Sequence, residues 1–168
     1  DANFFQHRPY LNYFKEENQV DLVSLGEVHV EPMGLYSIKI ESINDLGEGS
    51  KIAIPMDITN KFRALLLLDR HGLIDLNLES KNLGNPDNID ADLIGNPRNL
   101  DIIEEEAENL PSLLKEVDGA IINGNHALAN QIFPTEDALL LEDKYSPYVN
   151  ILVVRQGEEK ERKFVELM

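Results

Sequence analysis

The stretch KIAIPMDITNKFRALLLLDRHG, residues 51–72, contains a strand pattern followed directly by a helix pattern. Residues 51–54 predict a short buried strand that ends at a proline. The helix can be capped by Asp57 or Thr59, and Gly72 stands where a left-handed C-terminal residue belongs. Because four consecutive leucines cover every face of one turn, we expect this helix to be packed on most sides.

The alternation of strands and helices continues on both sides of this stretch. Further strands are predicted at residues 20–30, 35–40, 101–104, 119–122, 138–141 and 149–154. Helical patterns are found at residues 107–116, from residue 156 onward and, as a single turn, at residues 42–46. Residues 77–99 are rich in Asn, Asp, Gly and Pro and predict a loop with a short helical turn or two. Strands that alternate with helices indicate an α/β fold with a mainly parallel sheet.

The composition is that of a globular protein. At 168 residues and 42% hydrophobic, the chain has room for one ordinary domain or two small lobes with a buried core. Its formal charge of −16 repels nucleic acid and the anionic face of a cytoplasmic membrane, so neither is an expected partner. No apolar run approaches the roughly 20 residues that span a bilayer. The absence of cysteine excludes disulfides and thiolate sites, but it is compatible with any redox compartment.

No pattern in the sequence predicts a catalytic, metal or cofactor site. The four histidines, His7, His29, His71 and His126, occur singly and lack the spacing of metal ligands. The acidic runs are typical of a solvated surface. There is no nucleophile elbow, phosphate-binding loop or dinucleotide-binding glycine motif. We therefore predict a protein that is not an enzyme and that has no catalytic residue, metal or cofactor.

Near the start of the chain, residues 4–10 (FFQHRPY) concentrate two phenylalanine rings, an imidazole and a phenol in seven positions. A soluble domain either buries such side chains or uses them to bind a ligand. We interpret this run as one wall of a ligand site.

Three polar residues elsewhere are suited to holding a small zwitterion. Arg63 offers a planar fork that matches a carboxylate, although a surface ion pair is the commoner role of a lone arginine. Asn123 follows a buried strand, where amides line the ligand crevice of an open α/β sheet, but Asn-Gly-Asn more often forms a turn. Asn150 can accept a hydrogen bond from an ammonium group or cap a strand.

Five segments in this order resemble one known family. They are DANFFQHRPYL (1–11), DLVSLGEVHVEPMGLYS (21–37), KIAIP (51–55) with TNKFRALLLL (59–68), AIINGNHA (120–127) and SPYVNILVVR (146–155). The chain is similar over essentially its whole length to the NlpA/MetQ family, the lipid-anchored substrate-binding proteins of methionine-uptake ABC transporters.

The resemblance implies the two-lobed fold of type II periplasmic binding proteins, in which a ligand is enclosed between the lobes. By position, residues 1–31 and 144–168 would form the first lobe and residues 32–143 the second. The family's opening strands and helices, its lipid-bearing cysteine and its last helices have no counterpart in this sequence. We therefore expect a chain truncated at both ends, with an incomplete first lobe.

The resemblance also implies which residues contact the ligand. They are Phe5, His7, Tyr10, Arg63, Asn123 and Asn150. The arginine would bind the ligand carboxylate, the amides would bind its amine, and the aromatic rings would bury a thioether chain. Phe62 departs from the family, which usually has glycine there, and adds bulk beside Arg63.

The implied function is transport. A member of this family captures L-methionine or a close relative in the cell envelope, outside the cytoplasmic membrane, and delivers it to the permease and ATPase subunits of an ABC importer. Its contact with the membrane is through an N-terminal lipid anchor, which is absent from this chain. The alternatives are a binding protein for another apolar amino acid or a methionine-containing dipeptide, and a surface interaction protein that no longer transports.

Overall fold

The computed structural model describes residues 2–77, 93–143 and 148–166. These residues divide into two compact units. Unit 1 contains residues 2–31 and 148–166, and unit 2 contains residues 32–77 and 93–143. The turn expected at residues 143–147 lies, apart from its first residue, outside the described residues.

Helices and strands are numbered in chain order. The described helices are Arg8–Asn18 (α1), Ile58–Arg70 (α2), Leu110–Leu113 (α3), Gly124–Ala129 (α4), Pro134–Asp137 (α5) and Arg162–Val165 (α6), with a 3-10 turn at Ile43–Asp45. The described strands are Asn3–Phe5 (β1), Leu22–Val30 (β2), Gly34–Tyr36 (β3), Lys51–Pro55 (β4), Asp75–Leu76 (β5), Leu93–Gly95 (β6), Asp101–Glu105 (β7), Gly119–Ile122 (β8), Ala138–Leu141 (β9) and Val149–Arg155 (β10).

Unit 1 is built on an antiparallel sheet with the strand order β1-β10-β2. Helix α1 packs on it through Leu11, which is buried against Ile151 and Val153. Residues 4–10 therefore form the end of β1 and the start of α1, two elements that the hydrophobic pattern did not predict. The pattern is weak because Leu11 is the one buried residue of this helix.

Unit 2 is built on a five-stranded sheet with the order β7-β4-β8-β3-β9. Strand β4 runs parallel to both β7 and β8, whereas β3 runs antiparallel to β8 and β9. The α/β class is confirmed, but the expectation of a mainly parallel sheet is wrong on the β3 side. A buried strand has the same apolar pattern in either direction, so the pattern does not reveal how it pairs.

Helix α2 covers strand β4 in the core of unit 2. The leucines at 65–68 are all buried, which confirms that the helix is packed on most sides. Asp57 rather than Thr59 is the N-cap, because its carboxylate accepts the backbone N–H of Asn60 at 3.1 Å. Gly72 adopts a φ of +67°, the left-handed conformation expected after the helix.

Three other segments differ from their predictions. The helix expected at residues 107–116 is limited to α3, and the N–H of Glu116 bonds to the carbonyl of Leu113 three residues earlier, as in a turn, before the chain reaches β8. The helix expected from residue 156 is limited to α6. Within the loop predicted at residues 77–99, strand β6 pairs with β5, and residues 78–92 lie outside the described part of the chain.

Tyr36 supplies a stability prediction for unit 2. Its ring is buried in β3, and its hydroxyl has no hydrogen-bond partner among the described residues. Burial, and secondarily the charge of Asp137, raises the pKa of this phenol to about 12. Because the folded state holds the proton more tightly than the unfolded state, whose phenol ionises near its ordinary pKa of 10, stability should fall as pH rises from about 10 to 12.

We expect Tyr36→Phe to reduce this alkaline loss and to leave stability at pH 7 unchanged within about 1 kcal/mol, since the hydroxyl removed is unpaired. Thermal melts between pH 7 and 12 would measure both effects. Tyr13→Phe, in unit 1, is the matched control and should retain the alkaline loss. A loss of several kcal/mol at pH 7 in Tyr36→Phe would contradict the assignment.

Candidate functional site

Arg63 of helix α2 forms a buried, two-point ion pair. Its Nε donates to Oε1 of Glu142 at 2.7 Å, and its Nη2 donates to Oε2 of the same carboxylate. Both side chains are at least nine-tenths buried. The alternative role expected for Arg63 was an ion pair on the surface. The observed pair is in the interior, where it holds the guanidinium in one orientation.

Glu142 is a functional candidate that the sequence analysis missed. Besides Arg63, its Oε2 accepts the backbone N–H of Met33 at 3.1 Å, and its own N–H donates to the carbonyl of Met33 at 2.9 Å. The only sequence signal is an acidic residue placed directly after the apolar strand β9. Because Arg63 and Glu142 are 79 residues apart, the pairing itself is a property of the fold.

Asn123 lies between strand β8 and helix α4, and its side chain is about nine-tenths buried. It is the N-cap of α4 but makes no capping hydrogen bond with its side chain, and Gly124 begins the helix rather than a turn. Its Nδ2 donates to Oδ1 of Asn60 at 3.0 Å. Its own Oδ1 is buried without a hydrogen-bond partner among the described residues. Asn123 therefore presents a buried, unused acceptor.

Asn60, which was also missed, connects Asn123 to the start of helix α2. The Nδ2 of Asn60 lies 3.2 and 3.1 Å from the two carboxylate oxygens of Asp57. Asn60 precedes Arg63 by three residues, so the two side chains share one face of the helix. That spacing, in a polar turn before an apolar helix, is a signal that could have identified Asn60.

In unit 1, the predicted aromatic wall is a packed cluster. The ring of Phe5 lies 5.4 Å from that of Tyr10 and 5.5 Å from that of Phe14, measured between centroids. His7 is buried, caps α1 by accepting the backbone N–H of Tyr10 at its Nδ1 (3.1 Å), and meets the ring of Tyr148 edge-on at 5.0 Å. The structure thus brings Phe5, His7 and Tyr10 together around the start of α1.

Asn150 is buried near the start of strand β10. Its Nδ2 donates to Oε2 of Glu31 at 2.9 Å, and Oε1 of the same carboxylate lies 3.1 Å from Nε2 of His29. Asn150 pairs within the sheet rather than capping its strand. The six predicted residues therefore fall into two groups: Phe5, His7, Tyr10 and Asn150 in unit 1, and Arg63 and Asn123 in unit 2.

Over residues 2–77, 93–143 and 148–166 there is no group of three or more His, Asp or Glu side chains arranged to hold a metal ion. Within the same ranges no helix has the length and apolar character needed to cross a bilayer.

Comparisons with known proteins identify the family. The family model described as NlpA lipoprotein matches residues 1–168. A probable D-methionine-binding lipoprotein MetQ from Pasteurella multocida is 42% identical over 159 residues. Two solved structures, each about as similar, are a periplasmic substrate-binding protein of an ABC transporter from Coxiella burnetii (41% identity, TM-score 0.90) and a nutrient-binding protein from Burkholderia cenocepacia bound to methionine (41% identity, TM-score 0.92).

The matches cover nearly all of this chain but only part of each relative. The alignment takes in 95% of this chain and 56% of the Pasteurella protein. The structural matches cover 99% of this chain and 68% and 69% of the Coxiella and Burkholderia chains. The chain thus spans less than two thirds of the curated relative. A family model that matches the whole sequence, together with a shared α/β fold at about 40% identity, means that this chain belongs to the NlpA lipoprotein family.

Proposed function

We propose that this chain belongs to a substrate-binding protein of the cell envelope that captures L-methionine or a close relative and delivers it to an ABC importer. The names of its relatives support this: one is a probable D-methionine-binding lipoprotein, one is a substrate-binding protein of an ABC transporter, and one has methionine bound. Binding proteins of this kind act by holding their ligand rather than by changing it, so we propose no catalytic step.

The observation that carries the proposal is the buried Oδ1 of Asn123. It is an acceptor without a partner among the described residues, and a buried polar atom of this kind is costly unless a ligand or water satisfies it. The ammonium group of an amino acid carries three N–H donors and would satisfy it with a charge-assisted hydrogen bond. We assign the ligand amine to Asn123. Asn150, in unit 1, is a separate candidate for a contact with the ligand.

We assign the ligand carboxylate to Arg63. Glu142 holds the Nε and Nη2 edge of the guanidinium. A planar guanidinium presents donors along more than one edge, which allows it to bond two carboxylates at once. Glu142 would then fix the orientation of the arginine while the arginine binds the substrate.

The side chain of the ligand is assigned to the aromatic cluster of unit 1. Phe5 and Tyr10 are only partly buried, so their rings retain surface for an apolar group. A thioether sulfur gains about 0.3–1.5 kcal/mol from contact with an aromatic ring. An unbranched thioether chain therefore fits these residues better than a charged side chain would.

Binding is tested by calorimetric titration of a chain that contains all 168 residues with L-methionine, D-methionine, leucine and a methionine-containing dipeptide. We expect heat with methionine, and we expect Asn123→Ala to weaken binding about 10- to 100-fold, as loss of a hydrogen bond to a charged group does. Since Asn123 makes no capping bond, helix α4 loses none in this variant.

Asn130→Ala is the matched control for this variant. Asn130 is an exposed asparagine at the other end of the same helix, and its Nδ2 bonds only to the carbonyl of His126 among the described residues. Binding should be unchanged in Asn130→Ala. Equal affinities in wild type and Asn123→Ala would remove Asn123 from the site, and no heat with any of the four ligands would remove the proposed ligand class.

A further inference from the structure

The carboxylate of Asp57 determines the orientation of the Asn123 amide through one intervening residue. Asp57 is hydrogen-bonded to Asn60, and Asn60 is hydrogen-bonded to Asn123. Asp57, as a carboxylate, can only accept hydrogen bonds, so Asn60 must turn its Nδ2 toward it, at 3.2 and 3.1 Å. The Oδ1 of Asn60 then faces Asn123, which must in turn present its own Nδ2, at 3.0 Å. The Oδ1 of Asn123 is consequently left on the opposite side, where it is buried and unpartnered among the described residues.

The direction of these hydrogen bonds cannot be reversed by turning the amides of Asn60 and Asn123. Turning the amide of Asn123 would put two carbonyl oxygens against each other, and turning Asn60 as well would put its oxygen against the carboxylate of Asp57. Asn60 and Asn123 are both buried, so water does not readily replace the lost bonds. We call Asp57, Asn60 and Asn123 the relay. Because Asp57 is negatively charged, the atom left at the other end of the relay is an acceptor, the Oδ1 of Asn123.

In unit 1, a carboxylate contacts the amide of Asn150 directly. The carboxylate of Glu31 accepts the Nδ2 of Asn150 at 2.9 Å, so the Oδ1 of that amide is turned away from Glu31. The amide of Asn150, like that of Asn123, is therefore oriented by a carboxylate of its own unit. A neutral partner such as a serine hydroxyl or another amide would permit either orientation.

We propose that Asp57, acting through Asn60, is a positioning residue that makes the binding site selective for ligands with an α-ammonium group, and that Glu31 acts on Asn150 in the same way. The identity of the ligand rests on the proposed function above. The acceptor presented by Asn123 makes a charge-assisted hydrogen bond with an ammonium group, which can only donate. A hydroxyl can donate or accept, so it pairs with either orientation of the amide and gains no charge assistance. Selectivity for an amine over a hydroxyl is thus set by a residue that does not touch the ligand.

The test separates this role from the capping role of Asp57. Asp57 also caps helix α2, accepting the N–H of Asn60 at 3.1 Å. Asparagine caps helices as well as aspartate does, so Asp57→Asn keeps the cap. It introduces an NH₂ group that can donate to Oδ1 of Asn60, which frees both amides of the relay to turn.

The measurement is the ratio of the affinities for methionine and for its α-hydroxy analogue, titrated into a chain that contains all 168 residues. We expect Asp57→Asn to weaken methionine binding about tenfold and to leave binding of the analogue unchanged or improved, so that the ratio falls by about tenfold or more. The control is Asp69→Asn, at the other end of α2, where the carboxylate accepts the N–H of Leu76 at 2.8 Å. It makes the same change of charge and should leave the ratio unchanged.

A double variant tests whether the preference for methionine over its hydroxy analogue can be restored. If Asp57 acted only by stabilising the fold, the second substitution would not restore this preference. In Asp57→Asn with Asn123→Asp, Asn60 can turn its NH₂ toward the new carboxylate, and an acceptor is again presented to the ligand. We expect the preference for methionine to return. If Asp57→Asn weakens both ligands equally, or if the double variant does not recover the preference, the positioning role is wrong.

A second readout needs no ligand. The Nδ2 protons of Asn60 and Asn123 are donated within a buried relay, so they should exchange slowly with solvent in NMR experiments. Asp57→Asn should accelerate their exchange about tenfold or more, while Asp69→Asn should not. If wild type binds no amino acid but the exchange result holds, the proposed function fails and the relay stands. If the exchange rates are unchanged, the relay is overturned whatever binds.

Discussion

Replacing Glu142 with glutamine is expected to lower the free energy of unfolding by about 3–5 kcal/mol, the usual cost of removing one partner from a buried ion pair. The side chains of Arg63 and Glu142 are 4% and 5% exposed, so the guanidinium would be left charged in the interior without its carboxylate. The variant would also weaken the bond from the backbone of Met33. Urea denaturation followed by circular dichroism would measure the loss.

The control for this prediction is a pair of the same residue types on the surface. Arg162 and Glu166 form an i,i+4 pair with side chains that are 90% and 62% exposed. Glu166→Gln should therefore cost no more than about 0.5 kcal/mol. The double variant Arg63→Gln with Glu142→Gln removes both charges and should recover most of the stability lost in Glu142→Gln. Equal losses in Glu142→Gln and Glu166→Gln would contradict the buried pair.

Leu68→Ala should destabilise unit 2 by about 2–5 kcal/mol, through lost burial and through the cavity that remains. Leu68 is completely buried where helix α2 packs in the unit 2 core, and its neighbours are held by the five-stranded sheet. The cavity cannot collapse fully because the surrounding side chains are themselves close-packed. Chemical denaturation, monitored by a probe placed in unit 2, would measure the effect.

Leu128→Ala provides the comparison, since the same atoms are removed from an exposed position on helix α4. There the expected cost is below about 1 kcal/mol. If the two variants were equally stable, Leu68 would not be the core residue that the structure describes.

Much of the local structure could be predicted from the sequence. The strands at β4, β8 and β9, the helix α2 with its cap and its terminal glycine, and the 3-10 turn all follow from patterns within a few residues. Helix α1 could not be predicted in this way, because a helix that buries only Leu11 leaves a weak period. The antiparallel direction of β3 could not be predicted either, since it depends on which strands lie beside it.

The candidate site divides in the same manner. Residue chemistry and family resemblance selected Phe5, His7, Tyr10, Arg63, Asn123 and Asn150, and their role in binding stays a prediction. The polar partners of Arg63, Asn123 and Asn150 were not predicted. The pairings with Glu142 and Glu31 depend on the fold, which joins Arg63 to Glu142 across 79 residues and Asn150 to Glu31 across 119.

By itself, the sequence determined the α/β class, the family and the residue types available for a zwitterion, because these depend on local periodicity, motif order and side-chain chemistry. Only the tertiary structure decided how those side chains are oriented. Arg63 is held at one edge by a buried acid, and Asn123 is turned so that its buried oxygen is the last atom of a relay that starts at Asp57. The physical reason is that a hydrogen bond has a direction, and that direction is set by partners which folding brings together.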